Sequence, residues 1–245
     1  MNGIDAWIAA LEARHLANLT RPELTRALRA LSSCYVERRE KLTSGAALEG
    51  AGKRAAFALF YAVQHFLIGR EIARTLFPAG APDVDRIVDL GCGTGTAGAA
   101  VAQVLGNPRI EGYDVNTWAA AEANWTYRAF SIRGRATVAN VRAVRLPRQG
   151  LVFAGYAVNE LSDDVRRGLL ARMLDAQERG ASLLIVEPIA RRANPRWAEW
   201  VDALGLRGGR EDEWRFRITL PDRQRALAAA AGLDVRELTA RSLSL

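Results

Sequence analysis

Asp89, Gly91, Gly93, Gly95, Asp114 and Asn140 have the types and spacing to hold a nucleoside-bearing ligand. Three glycines at alternate positions, Gly91-Cys92-Gly93-Thr94-Gly95, follow a β-type run over residues 84–90 and lead into a small-residue helix over 96–105. Glycines permit backbone angles and close approaches that a Cβ blocks. A helix start offers unpaired N–H groups to a ligand, and in open α/β sheets ligands sit beyond the carboxyl ends of the strands. Asp89 lies two residues before the first glycine. Asp114, followed by Val115, ends the next strand, where a carboxylate accepts hydrogen bonds from vicinal ribose hydroxyls. The third strand ends in Ala139-Asn140-Val141, a polar side chain beside apolar ones, which suits the edge and face of an adenine. Cys92 reads as a small filler, since nothing near it in sequence would lower its pKa.

Such residues need strands and helices to hold them, and from residue 84 the chain alternates the two. Strands are expected at 84–90, 109–113, 136–141, 151–157 and 182–187, then an extended run at 214–219 and a final strand at 233–242. Helices are expected at 96–105, 116–132, 162–179, around 195–204, and at 221–231. Ser162 is a good N-cap, with Asp163 and Asp164 in the first turn. Repeated β–α units imply a parallel sheet with helices on both faces. Residues 1–80 read as helices only. Ile4, Trp7, Ile8 and Leu11 fall at helical spacing, as do Leu24, Leu28, Leu31 and Tyr35. Thr20 and Pro22 mark the second helix start. The third helix, 53–77, is apolar nearly all round, which demands cover on several sides. Residues 43–52 form a small-residue connector, and the proline and glycine residues at 78–82 set a boundary. The expected organisation is an N-terminal α-helical cap, residues 1–80, and an α/β core, residues 81–245.

Of 245 residues, 49% are hydrophobic and 25% charged, the composition of a globular chain. Two cysteines, Cys34 and Cys92, make no disulfide framework, and no Cys/His cluster has metal-ligand spacing, so no metal is expected. The N-terminus lacks a basic-then-apolar leader. The most apolar segment, 55–68, is interrupted by Gln64 and His65 and is shorter than the roughly 20 residues of a membrane span. A cytoplasmic protein away from the membrane is expected. The net charge of +7 permits an anionic partner. Between 123 and 159 there is no Asp or Glu, yet Arg128, Arg133, Arg135, Arg142, Arg145 and Arg148 occur. An Arg-lined edge tracks phosphates; a solvated surface paired with distant acids is the other reading.

The stretch Val88-Asp89-Leu90-Gly91-Cys92-Gly93-Thr94-Gly95 resembles the first motif of class I S-adenosylmethionine-dependent methyltransferases. Element order is similar over residues 84–245. The resemblance implies a Rossmann-like, seven-stranded, mostly parallel sheet with helices on both faces and an antiparallel last strand. It also implies S-adenosylmethionine as cofactor and S-adenosylhomocysteine (SAH) as product. In its terms Gly91, Cys92, Gly93 and Gly95 meet the methionine part of the cofactor, and Asp89 orders its amino group. Asp114 and Val115 hold the ribose side, and Asn140 with Val141 frames the adenine. Many relatives carry Asp where this chain has Asn140. A rival is the G-x-G-x-x-G fingerprint of NAD-dependent oxidoreductases, fitted by Gly93-Thr94-Gly95-Thr96-Ala97-Gly98. That fingerprint would start past the strand end, and Asp89 would repel a pyrophosphate.

Methyl transfer from a sulfonium is an in-line displacement with a neutral leaving group. Positioning carries the catalysis, and a base is needed only for a protonated nucleophile. The family places substrate-facing residues in the loop after strand four, here Gly155-Tyr156-Ala157-Val158-Asn159-Glu160-Leu161. Asn159 reads as a hydrogen-bond partner of the nucleophile and Glu160 as a base or cation ligand. Capping of the next helix, or pairing with an Arg, is the local alternative. Tyr35, Tyr61, His65 and Tyr156 are candidate substrate contacts, against plain packing for the first three. Trp197, Trp200 and Trp214 read as stacking platforms or as packing. The loop together with Leu184-Ile185-Val186-Glu187-Pro188 also resembles a narrower branch associated with small-ribosomal-subunit assembly. Members of that branch can carry metal-binding cysteines that this chain lacks. The expected reaction is methyl transfer to an N or O nucleophile of RNA, with the ribosomal subunit as a partner, or of a small molecule. A catalytically silent cofactor-binding assembly factor and an NAD-dependent oxidoreductase are the alternatives.

Overall fold

Short, mostly apolar runs separated by turns form the centre of a sheet, where the strands are buried on both faces. The computed structural model describes residues 3–37, 48–80, 83–190 and 196–245, with the backbone alone at 34–37. The seven strands are β1 Arg86–Leu90, β2 Arg109–Asp114, β3 Gly134–Val138, β4 Gly150–Gly155, β5 Ala181–Glu187, β6 Arg210–Phe216 and β7 Leu238–Ser244. Their order is β3-β2-β1-β4-β5-β7-β6. The pairs β1–β2, β1–β4, β2–β3 and β4–β5 are parallel, and β7 runs antiparallel to β5. This is the Rossmann-like, mostly parallel sheet expected from the sequence. The strand order turns at β1 and β4, which places the ligand crevice beyond their carboxyl ends.

β4 ends at Gly155 and not at 157, β7 starts at Leu238 and not at 233, and two further strand boundaries differ from the expectation for physical reasons. β3 stops at Val138, because Asn140 takes the N–H of Arg142 on its side chain and starts a short 3-10 turn, Val141–Ala143. β6 starts four residues before residue 214, in the charged run Arg210-Glu211-Asp212-Glu213. It is an edge strand, where charged residues guard against unwanted pairing and hide the apolar signal.

The chain divides into two compact units, Met1–Gln64 with Arg217–Leu238 and His65–Phe216 with Thr239–Leu245. The dividing lines thus fall after Gln64 and Phe216, against the boundary at residue 80 read from the sequence. The first unit holds α1 Gly3–His15, α2 Arg21–Glu37 and α3 Ala51–Ala56. A π-helical turn, Phe57–Tyr61, continues α3 into α4, Ala62–Leu76. Thr20 and Glu23 form a reciprocal capping box at the start of α2. Trp7, Ile8, Leu11, Leu24, Leu28, Leu31 and Phe60 make the core of this unit.

The second unit holds the sheet with α5 Thr96–Val104, α6 Thr117–Ala129, α7 Asp163–Glu178 and α8 Trp197–Gly205. The last helix, α9 Asp222–Ala231, groups instead with the N-terminal helices. Gln224 Nε2 donates to the Leu59 carbonyl in the π-helical turn, and Arg29 donates to the Ala230 and Ala231 carbonyls at the end of α9. From His65 onward, α4 packs within the sheet unit. Phe66 stacks on Phe130, and Gly69 lies so close to Ala97 that a Cβ would stand 3.1 Å from its carbonyl oxygen. No helix among the described residues is long and apolar enough to cross a membrane.

Candidate cofactor cradle and acceptor loop

The turn after β1 is held by backbone bonds to the end of β2. The N–H groups of Gly91 and Cys92 both donate to the Tyr113 carbonyl, at 2.8 and 3.0 Å. The Gly93 N–H donates to Asp114 Oδ2 at 2.9 Å, and the Asn116 N–H donates to Asp114 Oδ1 at 2.8 Å. Asn116 then caps α6 by accepting from Trp118 and Ala119. Glycine is required at two places in this turn. At Gly91 (φ 67°) a Cβ would meet Ala157 Cβ at 2.5 Å. At Gly95 (φ 73°) it would meet Tyr127 Cε1 at 2.8 Å and Ala123 Cβ at 2.9 Å. At Gly93 nothing lies within 4 Å of a Cβ position, so the turn is open there.

Asp89 is 1% exposed, and its Oδ2 has no hydrogen-bond partner among the described residues. Burial, and then the charge of Asp114, push its carboxyl up to about 8. Asp114 is also raised by burial, opposed by the N–H groups of Asn116, Gly93 and Val115. Cys92 is buried, and burial with the two carboxylates raises its thiol. That agrees with a filler role. Val115 is 66% exposed. Asn140 heads its 3-10 turn, while Val141 is buried in the core beside β4 and α7. Val138, in register with Asp114, is 50% exposed, and sequence reasoning did not single it out. The exposed apolar surface at this strand end therefore comes from Val115 and Val138. Strand alternation counted back from Asn140 was the available signal.

The second polar constellation is the loop after β4. Tyr156 has φ 59°, donates its N–H to the Val186 carbonyl at 2.7 Å, and stacks on His65 with centroids 3.9 Å apart. The sequence candidates His65 and Tyr156 are thus brought together. Burial lowers the His65 pKa to about 3, so its ring is neutral. Burial, and then the charge of Glu187, raise the Tyr156 hydroxyl, which has no hydrogen-bond partner among the described residues. Asn159 is partly exposed and Glu160 exposed, on the 3-10 turn Val158–Glu160. Neither caps α7. Ser162 occupies the N-cap position, with its hydroxyl bonded to Asp164.

Two residues that sequence reasoning did not single out as site residues bracket this turn. Glu187, 0% exposed, accepts the N–H groups of Val158 and Asn159 on Oε1 at 2.8 and 3.2 Å. Its Oε2 has no hydrogen-bond partner by geometry among the described residues; burial, and then the charge of Glu160, push its carboxyl up to about 8 against the N–H groups of Asn159 and Val158 and a side-chain interaction with Asn159. Buried Arg166 donates from Nε to the Val158 carbonyl at 3.1 Å and from Nη2 to the Leu161 carbonyl at 2.7 Å.

Tyr61 belongs to the helical unit, where burial raises its hydroxyl against a hydrogen bond with Ser32. Tyr35 lies outside the residues whose side chains are described. Trp197 and Trp200 are buried, Trp197 donating to Glu211, and Trp214 stacks on Phe216 and donates to Ser242. Of the arginine stretch, Arg142 pairs with Asp164. Exposed Arg145 and Arg148 line a surface groove of about 360 Å³ with Leu146, Arg172, Asp175 and Arg179. The groove lies by the amino ends of β4 and β5, the end of the sheet opposite the glycine turn.

A family model described as the methyltransferase small domain matches residues 72–149, the segment that carries the cradle and both of its carboxylates. The crystal structure of a putative O-methyltransferase from Nostoc punctiforme PCC 73102 is similar over 89% of this chain and 71% of its own, with a TM-score of 0.56 at 14% identity. Magnesium protoporphyrin IX methyltransferase from Synechocystis PCC 6803, solved with bound SAH, is similar over 74% of this chain and 82% of its own, with a TM-score of 0.52 at 12% identity. No curated protein matches.

Proposed function

We propose that this chain, a member of the class I S-adenosylmethionine-dependent methyltransferase superfamily, transfers a methyl group to a nitrogen or oxygen nucleophile presented at the loop after β4. The fit of the cradle carries this reading. The backbone is open at Gly93, Asp89 Oδ2 lacks a partner, and Val115 and Val138 expose apolar surface beside Asp114. A carboxylate oxygen that accepts one N–H keeps acceptor capacity, so Asp114 suits the two ribose hydroxyls while it still holds Gly93 and Asn116. Asp89 would order the amino group. The backbone of Gly91, Cys92, Gly93 and Gly95 would meet the methionine part, and Asn140 and Val141 would border the adenine. An NAD fingerprint would begin at Gly93, three residues past the end of β1, with the Asp89 carboxylate behind the pyrophosphate.

When bound, the cofactor supplies an electrophilic methyl group. What the chain adds is orientation. Asn159 hydrogen-bonds the nucleophile. Glu160, exposed at the tip of the turn, takes its proton or pairs with its charge. RNA is the acceptor class favoured by one further observation, the Arg145 and Arg148 groove, which suits a polyphosphate that extends beyond the methylated atom. The test is incubation with methyl-labelled S-adenosylmethionine and, separately, ribosomal subunits, bulk RNA and a metabolite extract. Label in an RNA fraction is expected. Label only in the extract would move the acceptor to a small molecule. SAH binding without any transfer would leave a silent cofactor-binding factor.

A further inference from the structure

We propose that Glu187 and Arg166 are positioning residues that clamp the turn bearing Asn159 and Glu160. One holds its N–H groups and the other its carbonyls, so that those two side chains are presented to the acceptor in one fixed orientation. This rests on the methyltransfer reading for its purpose, though not for its geometry. The turn is short and irregular, and such segments hold their shape only when their backbone groups are satisfied. Here two buried polar side chains satisfy most of them. Glu187 takes the N–H groups of Val158 and Asn159, and Arg166 gives to the carbonyls of Val158 and Leu161. The Glu160 and Leu161 N–H groups close the turn on the Ala157 and Val158 carbonyls. The carboxyl group comes from the end of β5 and the guanidinium from the first turn of α7, so the loop is fixed to two rigid elements.

Stability alone does not favour this arrangement. Buried charges cost desolvation, and well-packed apolar residues in their place are often as stable or more so. What the pair provides is a fixed loop geometry, and misplacement of a catalytic group by about 1 Å costs on the order of 100-fold in rate. Neither residue makes a hydrogen bond to the glycine turn, whose contact with this loop is the packing of Gly91 on Ala157.

Amide hydrogen exchange of the full chain tests the clamp without any substrate, beside SAH calorimetry and the labelled-methyl assay. In Glu187→Ala the Val158 and Asn159 amides should exchange at least about tenfold faster. The same variant should keep its SAH affinity within about twofold, and its kcat should fall much more than its KM for S-adenosylmethionine changes. Glu187→Gln keeps an oxygen that accepts the two N–H groups, and should restore most of the protection and the rate. Arg166→Met should free the same turn from its carbonyl side, and it decides the matter if Glu187→Ala does not fold. Unchanged exchange in both variants would overturn the clamp. So would faster exchange throughout β4 and β5 with loss of SAH affinity, which would make the pair merely structural. If the wild-type chain transfers no methyl group to any fraction, the functional reading fails, while the exchange result still decides the clamp.

Discussion

Two turns at the carboxyl ends of the sheet, after β1 and after β4, each sit beside a wholly buried carboxylate. Asp89 and Glu187 are both pushed up to about 8 by burial, and each has one oxygen without a hydrogen-bond partner among the described residues. They differ in what the rest of the carboxylate and the turn around it do. Glu187 commits Oε1 to two backbone N–H groups of its turn, where Arg166 holds the carbonyls. The glycine turn is instead closed by its own backbone, by the Tyr113 carbonyl and by Asp114, without a hydrogen bond from Oδ2 of Asp89. One turn thus leaves a buried carboxylate oxygen without a hydrogen bond among the described residues. The other uses its carboxyl group to fix the chain, with Asn159 and Glu160 at its tip.

Substitutions at the glycines should break the comparison most severely. Gly95→Ala combines a left-handed backbone with contacts under 3 Å to Tyr127 and Ala123. It should cost about 2–4 kcal/mol of stability, read by denaturant unfolding, and abolish SAH binding. Gly93→Ala has open space and should cost only about 1 kcal/mol for its backbone conformation, yet weaken SAH strongly. Equal stability losses at the two positions would show that the turn is not open at Gly93. Next in size, Asp114→Ala should lose about 2–3 kcal/mol of SAH affinity, roughly 30- to 150-fold.

A pH titration sharpens the comparison further. Asp89 stands at about 8 in the free chain, so a ligand ammonium that needs the carboxylate should bind up to about tenfold more weakly per unit below pH 8. Asp89→Asn should bind weakly and flatten the profile. A flat profile in the wild type would remove Asp89 from the amino-group site. Folding stability should run the other way. Asp89 and Glu187 have folded values near 8 against ordinary values of 3.8 and 4.5. The folded chain therefore keeps protons that the unfolded chain releases, and their stabilising contribution, complete below about pH 4, is lost as pH rises through 8. Glu187→Gln and Asp89→Asn should each reduce that slope. The smallest effect is expected from Arg145→Glu with Arg148→Glu. SAH affinity should stay within about twofold, while RNA binding weakens and its salt slope falls by roughly one to two.

How far each turn could be read from the chain follows from where its parts lie. The cradle is nearly contiguous. Asp89, the glycines and Asp114 fall within 26 residues, and their types are imposed by backbone angle and hydrogen bonding, so the pattern survives in one dimension. The β4 loop named its own tip residues, Asn159 and Glu160. Its supports stand elsewhere, Glu187 being 28 residues beyond Asn159 in a strand that otherwise reads as apolar core. A carboxylate there looks like a strand end and nothing more. The grouping of α9 with the N-terminal helices was hidden for the same reason, since it rests on Arg29 and Gln224 reaching across some 165 to 202 positions. The edge strand β6 escaped because its charged residues carry no apolar alternation.

The most direct test of the central claim is calorimetry of SAH against the wild-type chain and Asp114→Ala, with NAD as the control ligand. Saturable binding of SAH, its loss by 30-fold or more in the variant, and no heat from NAD are predicted. NAD binding without SAH binding, or an SAH affinity untouched by Asp114→Ala, would contradict the account.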